Sequence, residues 1–124
     1  MALGTVDFGL FFLRLILGVI FFYHGSIKVL SPAVVAKGLG WKNSFVLLLG
    51  IVEVLGALSV ILGIYPSLGA LFLLLIMLGA LWYKIFRWKV PFASMQATGW
   101  EFDLILFAVA LVVFLGGSGA WVLL

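Results

Sequence analysis

Long apolar runs interrupted by single polar residues give this chain its pattern. Four runs have the length a membrane-crossing helix needs, about 20 residues: Phe8 to Lys28, Ser44 to Ile64, Leu68 to Phe86, and Phe102 to Trp121. Each is dominated by Leu, Phe, Ile and Val. In a bilayer every backbone polar group must be satisfied internally, so helix is the only spanning form open to so short a chain. Gly18, Gly50, Gly56, Gly79 and Gly116 fall inside these runs, where small residues let helices approach closely. The predicted class is all-α: an integral membrane antiparallel four-helix bundle of left-handed type, formed by one transmembrane domain over residues 1–124.

The connections differ in kind. "IYPS", Ile64 to Ser67, reads as a tight turn in which Pro66 stops one helix and Ser67 caps the next. Val29 to Asn43 and Arg87 to Glu101 are long enough to lie along the membrane interface, with Trp41, Trp88 and Trp100 as headgroup-level anchors. With four spans, both long loops fall on one side. Lys28, Lys37 and Lys42 flank the first and Lys84, Arg87 and Lys89 the second, so the positive-inside bias places both loops in the cytoplasm and both termini outside. The expected location is the cell membrane, as a multi-pass protein.

Composition narrows the chemistry. With 67% hydrophobic and 9% charged residues, membrane lipid is the natural solvent. The net charge of +3 comes from basic residues grouped at segment ends, an arrangement of topology signals rather than a nucleic-acid surface. No basic residue precedes the first apolar run and no small-residue cleavage site is evident, so that run is expected to be retained. The chain has no cysteine, which excludes disulfides, dithiol redox chemistry and thiolate-ligated clusters in this sequence. Its one histidine cannot supply both ligands of a bis-histidine haem. No metal site and no covalently bound cofactor are expected. Any electron-transfer role then needs a partner's cofactor or a diffusible carrier such as a quinone.

Within the apolar runs, the intramembrane polar candidates are Arg14, His24, Lys28 and Glu53. Counting from Gly18 as the midpoint of the first span, Arg14 lies about 6 Å to one side and His24 about 9 Å to the other. Glu53 lies near the midpoint of the second span, flanked at intervals of three by Gly50 and Gly56. A lone charge at that depth costs about 2.5–3.5 kcal/mol on insertion scales. Glu53 is therefore expected to answer Arg14, with His24 as the competing partner. Such a pair could equally fix helix registry or serve a ligand, and Lys28 could simply snorkel to lipid phosphates. Glu101 and Asp103, in "GWEFD", favour a helix N-terminus through its dipole and are also candidates for a cytoplasmic-side vestibule leading to Glu53.

The ordered stretches "RLILGVIFFYHGSIKVL", "GIVEVLGALSVILGIYPSLGALFLLLIMLGAL" and "EFDLILFAVALVVFLGGSG" resemble the DoxX-like family of small four-helix membrane proteins. Arg14, Gly18, His24, Gly25 and Lys28 match its first motif, Glu53 and Gly63 its second, and Glu101 its last. The resemblance implies an accessory or anchor subunit of a membrane redox system, with the chemistry belonging to the partner and a quinone-associated site shared with it. Members often end the last helix in a Gly-Pro-Gly-Arg-like stretch; "GGSGAWVLL" has neither that proline nor that arginine. Quinone binding would use His24 as donor to a carbonyl, Lys28 beside an anionic reduced headgroup, and Glu53 as a proton relay. Homo-oligomerisation and membership of a redox complex are both open. A small-anion or proton transporter, and a purely structural subunit, are the alternatives.

Overall fold

In a computed structural model, the structure describes residues 2–93, 99–116, 119, 122 and 123. Five α-helices follow in order: α1 (Ala2–Leu30), α2 (Pro32–Leu39), α3 (Asn43–Leu62), α4 (Pro66–Trp82) and α5 (Trp100–Gly116). A π-helical turn, Tyr83–Arg87, continues α4. Among the described residues there is no strand, and three helical segments are long and apolar enough to cross a membrane: Gly4–Leu30, Asn43–Leu62 and Pro66–Arg87. The predicted fourth span is represented by the 17 residues of α5, and its expected far end at Trp121 lies outside the described residues.

Each long helix buries one narrow stripe at spacings of three and four. Arg14, Leu17, Phe21 and Gly25 form the stripe on α1; Val46, Gly50, Glu53, Ala57 and Val60 form that on α3. Ala70, Leu73, Leu74 and Met77 on α4 meet Leu106, Ala110 and Val113 on α5 in one core cluster. Helix α1 packs on α3, α3 on α4 and α4 on α5, with a lighter contact returning from α5 to α1. The outward faces carry exposed Phe12, Val19, Leu48, Leu55, Leu75 and Ile105, side chains suited to lipid rather than water.

Two connections depart from the sequence expectation. The first long loop is mostly helix: Pro32 opens α2 at a position where its missing N–H is harmless, Gly40 closes it at φ 74°, and Ala36 is buried beneath it. The "IYPS" turn also works differently. Gly63, at φ 73°, ends α3, while Pro66 begins α4 instead of stopping its predecessor, and Ser67 lies inside the helix rather than capping it. The capping work falls to Ser59, whose hydroxyl donates toward the Ile64 and Tyr65 carbonyls at 2.7 and 3.0 Å.

Candidate functional site

Two glycines set the register of α1 against α3 beside Glu53, and Gly18 allows the same close approach farther along, where a Cβ would lie 2.9 Å from the Ala57 carbonyl oxygen. A Cβ on Gly25 would lie 2.9 Å from the Glu53 Cβ, and one on Gly50 would lie 2.6 Å from the Lys28 Cβ. Only glycine at both positions permits this backbone approach. It brings Lys28 and Glu53 together: the Lys28 Nζ donates to Glu53 Oε2 at 2.5 Å. Glu53 is 1% exposed and the Lys28 side chain 20%, so the pair has a buried acid and a base that reaches the rim.

The expected Arg14–Glu53 pairing is corrected by the same register. Arg14 Nε donates to the Val60 carbonyl at 2.9 Å, seven residues, or roughly 10 Å, along α3 from Glu53. Its Nη2 reaches still farther from Glu53: a Cβ on Gly63 would lie 3.1 Å from it. The guanidinium thus sits at the C-terminal end of α3, where helix carbonyls lack intrahelical partners and the dipole favours a cation. The Phe11 ring lies 5.5 Å from the Arg14 Cζ and adds a cation–π contact. Gly63 serves three needs: a left-handed backbone, room for the arginine, and close passage of the Val122 backbone, whose Cα would lie 2.7 Å from a Cβ there.

A second ion pair joins the π-helical turn to α5. Lys84 Nζ lies 2.7 Å from Asp103 Oδ2, while Asp103 is 5% exposed. That oxygen is buried and receives no well-directed hydrogen bond among the described residues, so the nearby ammonium answers it by charge rather than by direction. Glu101, its predicted companion, is exposed on the first turn of α5. The two acids thus separate: Glu101 faces outward at the helix N-terminus and Asp103 turns inward.

Both ion pairs line a single cavity of about 530 Å³ at the end of the molecule that carries the long connections. Of the sequence candidates, His24, Lys28, Glu53 and Asp103 border it, whereas Arg14 and Glu101 do not. The His24 ring stands edge-on to Phe102 with centroids 6.2 Å apart and to Tyr23 at 5.3 Å. Trp41, Tyr83 and Trp88 form an aromatic wall, with Trp41–Tyr83 at 5.3 Å, Tyr83–Trp88 at 5.4 Å and Trp41–Trp88 at 6.0 Å. Apolar side chains such as Leu49, Leu75 and Ile76 supply the remainder. A largely apolar cavity with a few convergent polar groups is the common form of a small-molecule site.

Lys84 and the three aromatic residues were not anticipated as site residues from sequence. Lys84 reads as a topology charge in "WYKIFRWK", and nothing in that string announces the π-helical turn that carries it. π-Helical turns recur at functional sites, but they are recognised from backbone geometry. Trp41 and Trp88 were expected at the lipid headgroup level, yet both also border the cavity.

No curated protein matches the chain significantly, and no solved structure does so either. The DoxX family matches residues 9–85, from α1 through the first half of the π-helical turn. That segment includes Lys28, Glu53 and Lys84, together with the two glycines that set the register, while Asp103 lies beyond it. The chain is a membrane protein of the DoxX family.

Proposed function

We propose that the chain is an accessory subunit of a membrane redox system and that its cavity receives a quinone headgroup. The observation that carries this reading is the convergence of His24, Lys28–Glu53 and Lys84–Asp103 on one apolar, aromatic-walled cavity. The set supplies both donors and acceptors to a ring that bears oxygens. His24 or Lys28 would donate to one oxygen, and the Asp103 carboxylate would accept from a ring hydroxyl in the reduced form. Tyr83 and Trp88 offer flat surfaces of matching shape. A quinone bound there would supply two-electron carrier chemistry, while electron delivery belongs to a partner enzyme. The chain's own residues would hold the ring and keep charged groups at its edge.

This reading includes α5 as a fourth span, giving an antiparallel four-helix bundle with both termini extracytoplasmic and the long loops cytoplasmic. Lys37, Lys42, Arg87 and Lys89 are exposed and remain available as topology signals after Lys28 and Lys84 turn toward the cavity. Exposed apolar faces on several helices leave area for a second copy or a redox partner beside lipid. The deciding experiment reconstitutes the complex co-purified from the source membrane and follows quinone turnover for Glu53→Gln and His24→Gln. Reduced turnover with intact assembly supports the proposal. Unchanged quinone affinity and turnover in both assembled variants would refute the site.

A further inference from the structure

Small residues interrupt the seam between α3 and α4 just beyond the cavity. On α3 the positions Phe45, Leu49 and Val52 border the cavity, and the same helical stripe continues with Gly56 and Ser59. On α4, Ile76 and Phe72 border it, and the stripe continues with Gly69. Beyond Val52 and Phe72 lies a separate groove of about 300 Å³, bordered by Leu55, Ser59, Tyr65 and Leu68. Val52 and Phe72 belong to both walls, so the groove and the cavity are neighbours with these two side chains between them.

The two spaces differ in chemistry. The cavity contains two ion pairs and a histidine; the groove has no charged side chain along its walls. Of its two hydroxyls, that of Ser59 is turned to the Ile64 and Tyr65 carbonyls and offers little to a ligand, and that of Tyr65 belongs to an exposed side chain. Gly56 and Gly69 are buried while Leu55, Leu68 and Phe72 are exposed, which makes a low floor between apolar rims on the lipid-facing side. A polar ligand gains nothing in such a trough, whereas an alkyl chain removes apolar surface there.

We infer that the α3/α4 groove is a binding site for the hydrocarbon chain of an amphiphile whose polar head occupies the cavity. The inference rests on the headgroup reading above and extends it to the ligand's second half. Adjacency across Val52 and Phe72, two apolar side chains that a bound chain could displace or pass over, favours one two-part ligand over two unrelated molecules. It also gives the ligand a lateral path from the bilayer, since the rim side chains are exposed on the faces lipid would cover. Specificity then has two sources: hydrogen-bonding groups in the cavity choose the head, and the groove rewards a chain.

The test uses the full chain in lipid nanodiscs and a decyl-chain ubiquinone analogue with a diazirine at the chain terminus. Light-induced labelling is mapped by mass spectrometry, with excess decyl-ubiquinone as competitor. Short-chain ubiquinone-0 quenching of Trp41 and Trp88 fluorescence reports the head alone. Labelling should concentrate between Leu55 and Phe72, fall at least fivefold with competitor, and fall at least fivefold in Leu68→Trp. In that variant the ubiquinone-0 affinity, read by equilibrium dialysis because the new tryptophan fluoresces too, should change less than twofold. Leu55→Trp, on the opposite rim, provides the same reading if Leu68→Trp does not fold. Saturable quenching with labelling spread over the other lipid-facing helices, and not competed, would overturn the chain site while leaving the headgroup reading intact. Absence of both labelling and quenching would overturn both.

Discussion

Replacing Lys28 by methionine keeps most of the side-chain volume but leaves the Glu53 carboxylate without its ion-pair partner. Glu53 is 1% exposed, so water cannot take the lysine's place readily. Breaking one side of a buried pair costs about 3–5 kcal/mol, and the lower end suits a lysine whose side chain is 20% exposed. Glu53→Gln should be milder, about 1–2 kcal/mol, because the ammonium of Lys28 can move outward on its flexible stem. The double variant should lose about 2 kcal/mol, so a double-mutant cycle should return a coupling of roughly 2–3 kcal/mol. Reversible SDS-titration unfolding of the purified protein, followed by helical circular dichroism, provides the assay. The same cycle on Arg14→Met with Glu53→Gln should be additive within about 0.5 kcal/mol, because the arginine lies two helical turns away at the Val60 carbonyl. A coupling near zero for Lys28–Glu53, or a large one for Arg14–Glu53, would refute this assignment of partners.

Gly50→Leu should prevent the α1–α3 approach, since even a Cβ there would meet Lys28 Cβ at 2.6 Å; loss of monodisperse protein by size-exclusion chromatography checks it. Gly63→Ala should cost about 1–2 kcal/mol through its φ of 73°, and more through contact with the Val122 backbone and Arg14, in the same SDS titration. Asp103→Asn should weaken the tie between the π-helical turn and α5, read as faster hydrogen exchange at the Lys84–Arg87 amides, whereas Glu101→Gln should leave those rates within twofold because Glu101 is exposed. Reporter fusions after Leu124 and within residues 33–37 should fall on opposite sides of the membrane; the same side for both would remove a span.

Much of the architecture is legible in the spacing of apolar residues, because a helix that faces lipid needs a continuous apolar run and a helix that packs needs a stripe of small ones. α3 is expected from Ser44 and observed from Asn43, with Glu53 on its buried stripe. α1 is longer than its apolar run because helix continues back through Asp7 to Ala2. Pairing is harder to read. Helical phase puts Arg14, Lys28 and Glu53 on facing surfaces, but only the contact of Gly25 with Gly50 fixes which basic residue meets the acid. That information depends on two helices at once, and neither segment holds it alone. The "SPAVVAKGLG" stretch does contain a start and a stop for α2, in Pro32 and Gly40, although its short length lets it pass for a loop. Asp103 and Glu101 show the same limit: both favour a helix N-terminus, and only packing against Lys84 separates the inward acid from the outward one.

Equilibrium binding of ubiquinone-0 to the purified chain, followed by quenching of Trp41 and Trp88, tests the headgroup site most directly. To assign the signal, Trp82, Trp100 and Trp121 are replaced by phenylalanine in every sample. Saturable quenching is expected, weakened at least tenfold by His24→Gln together with Lys28→Met and changed less than twofold by Arg14→Lys, since Arg14 lies outside the cavity. Quenching that never saturates, or that is indifferent to His24 and Lys28, would contradict a quinone headgroup in this cavity.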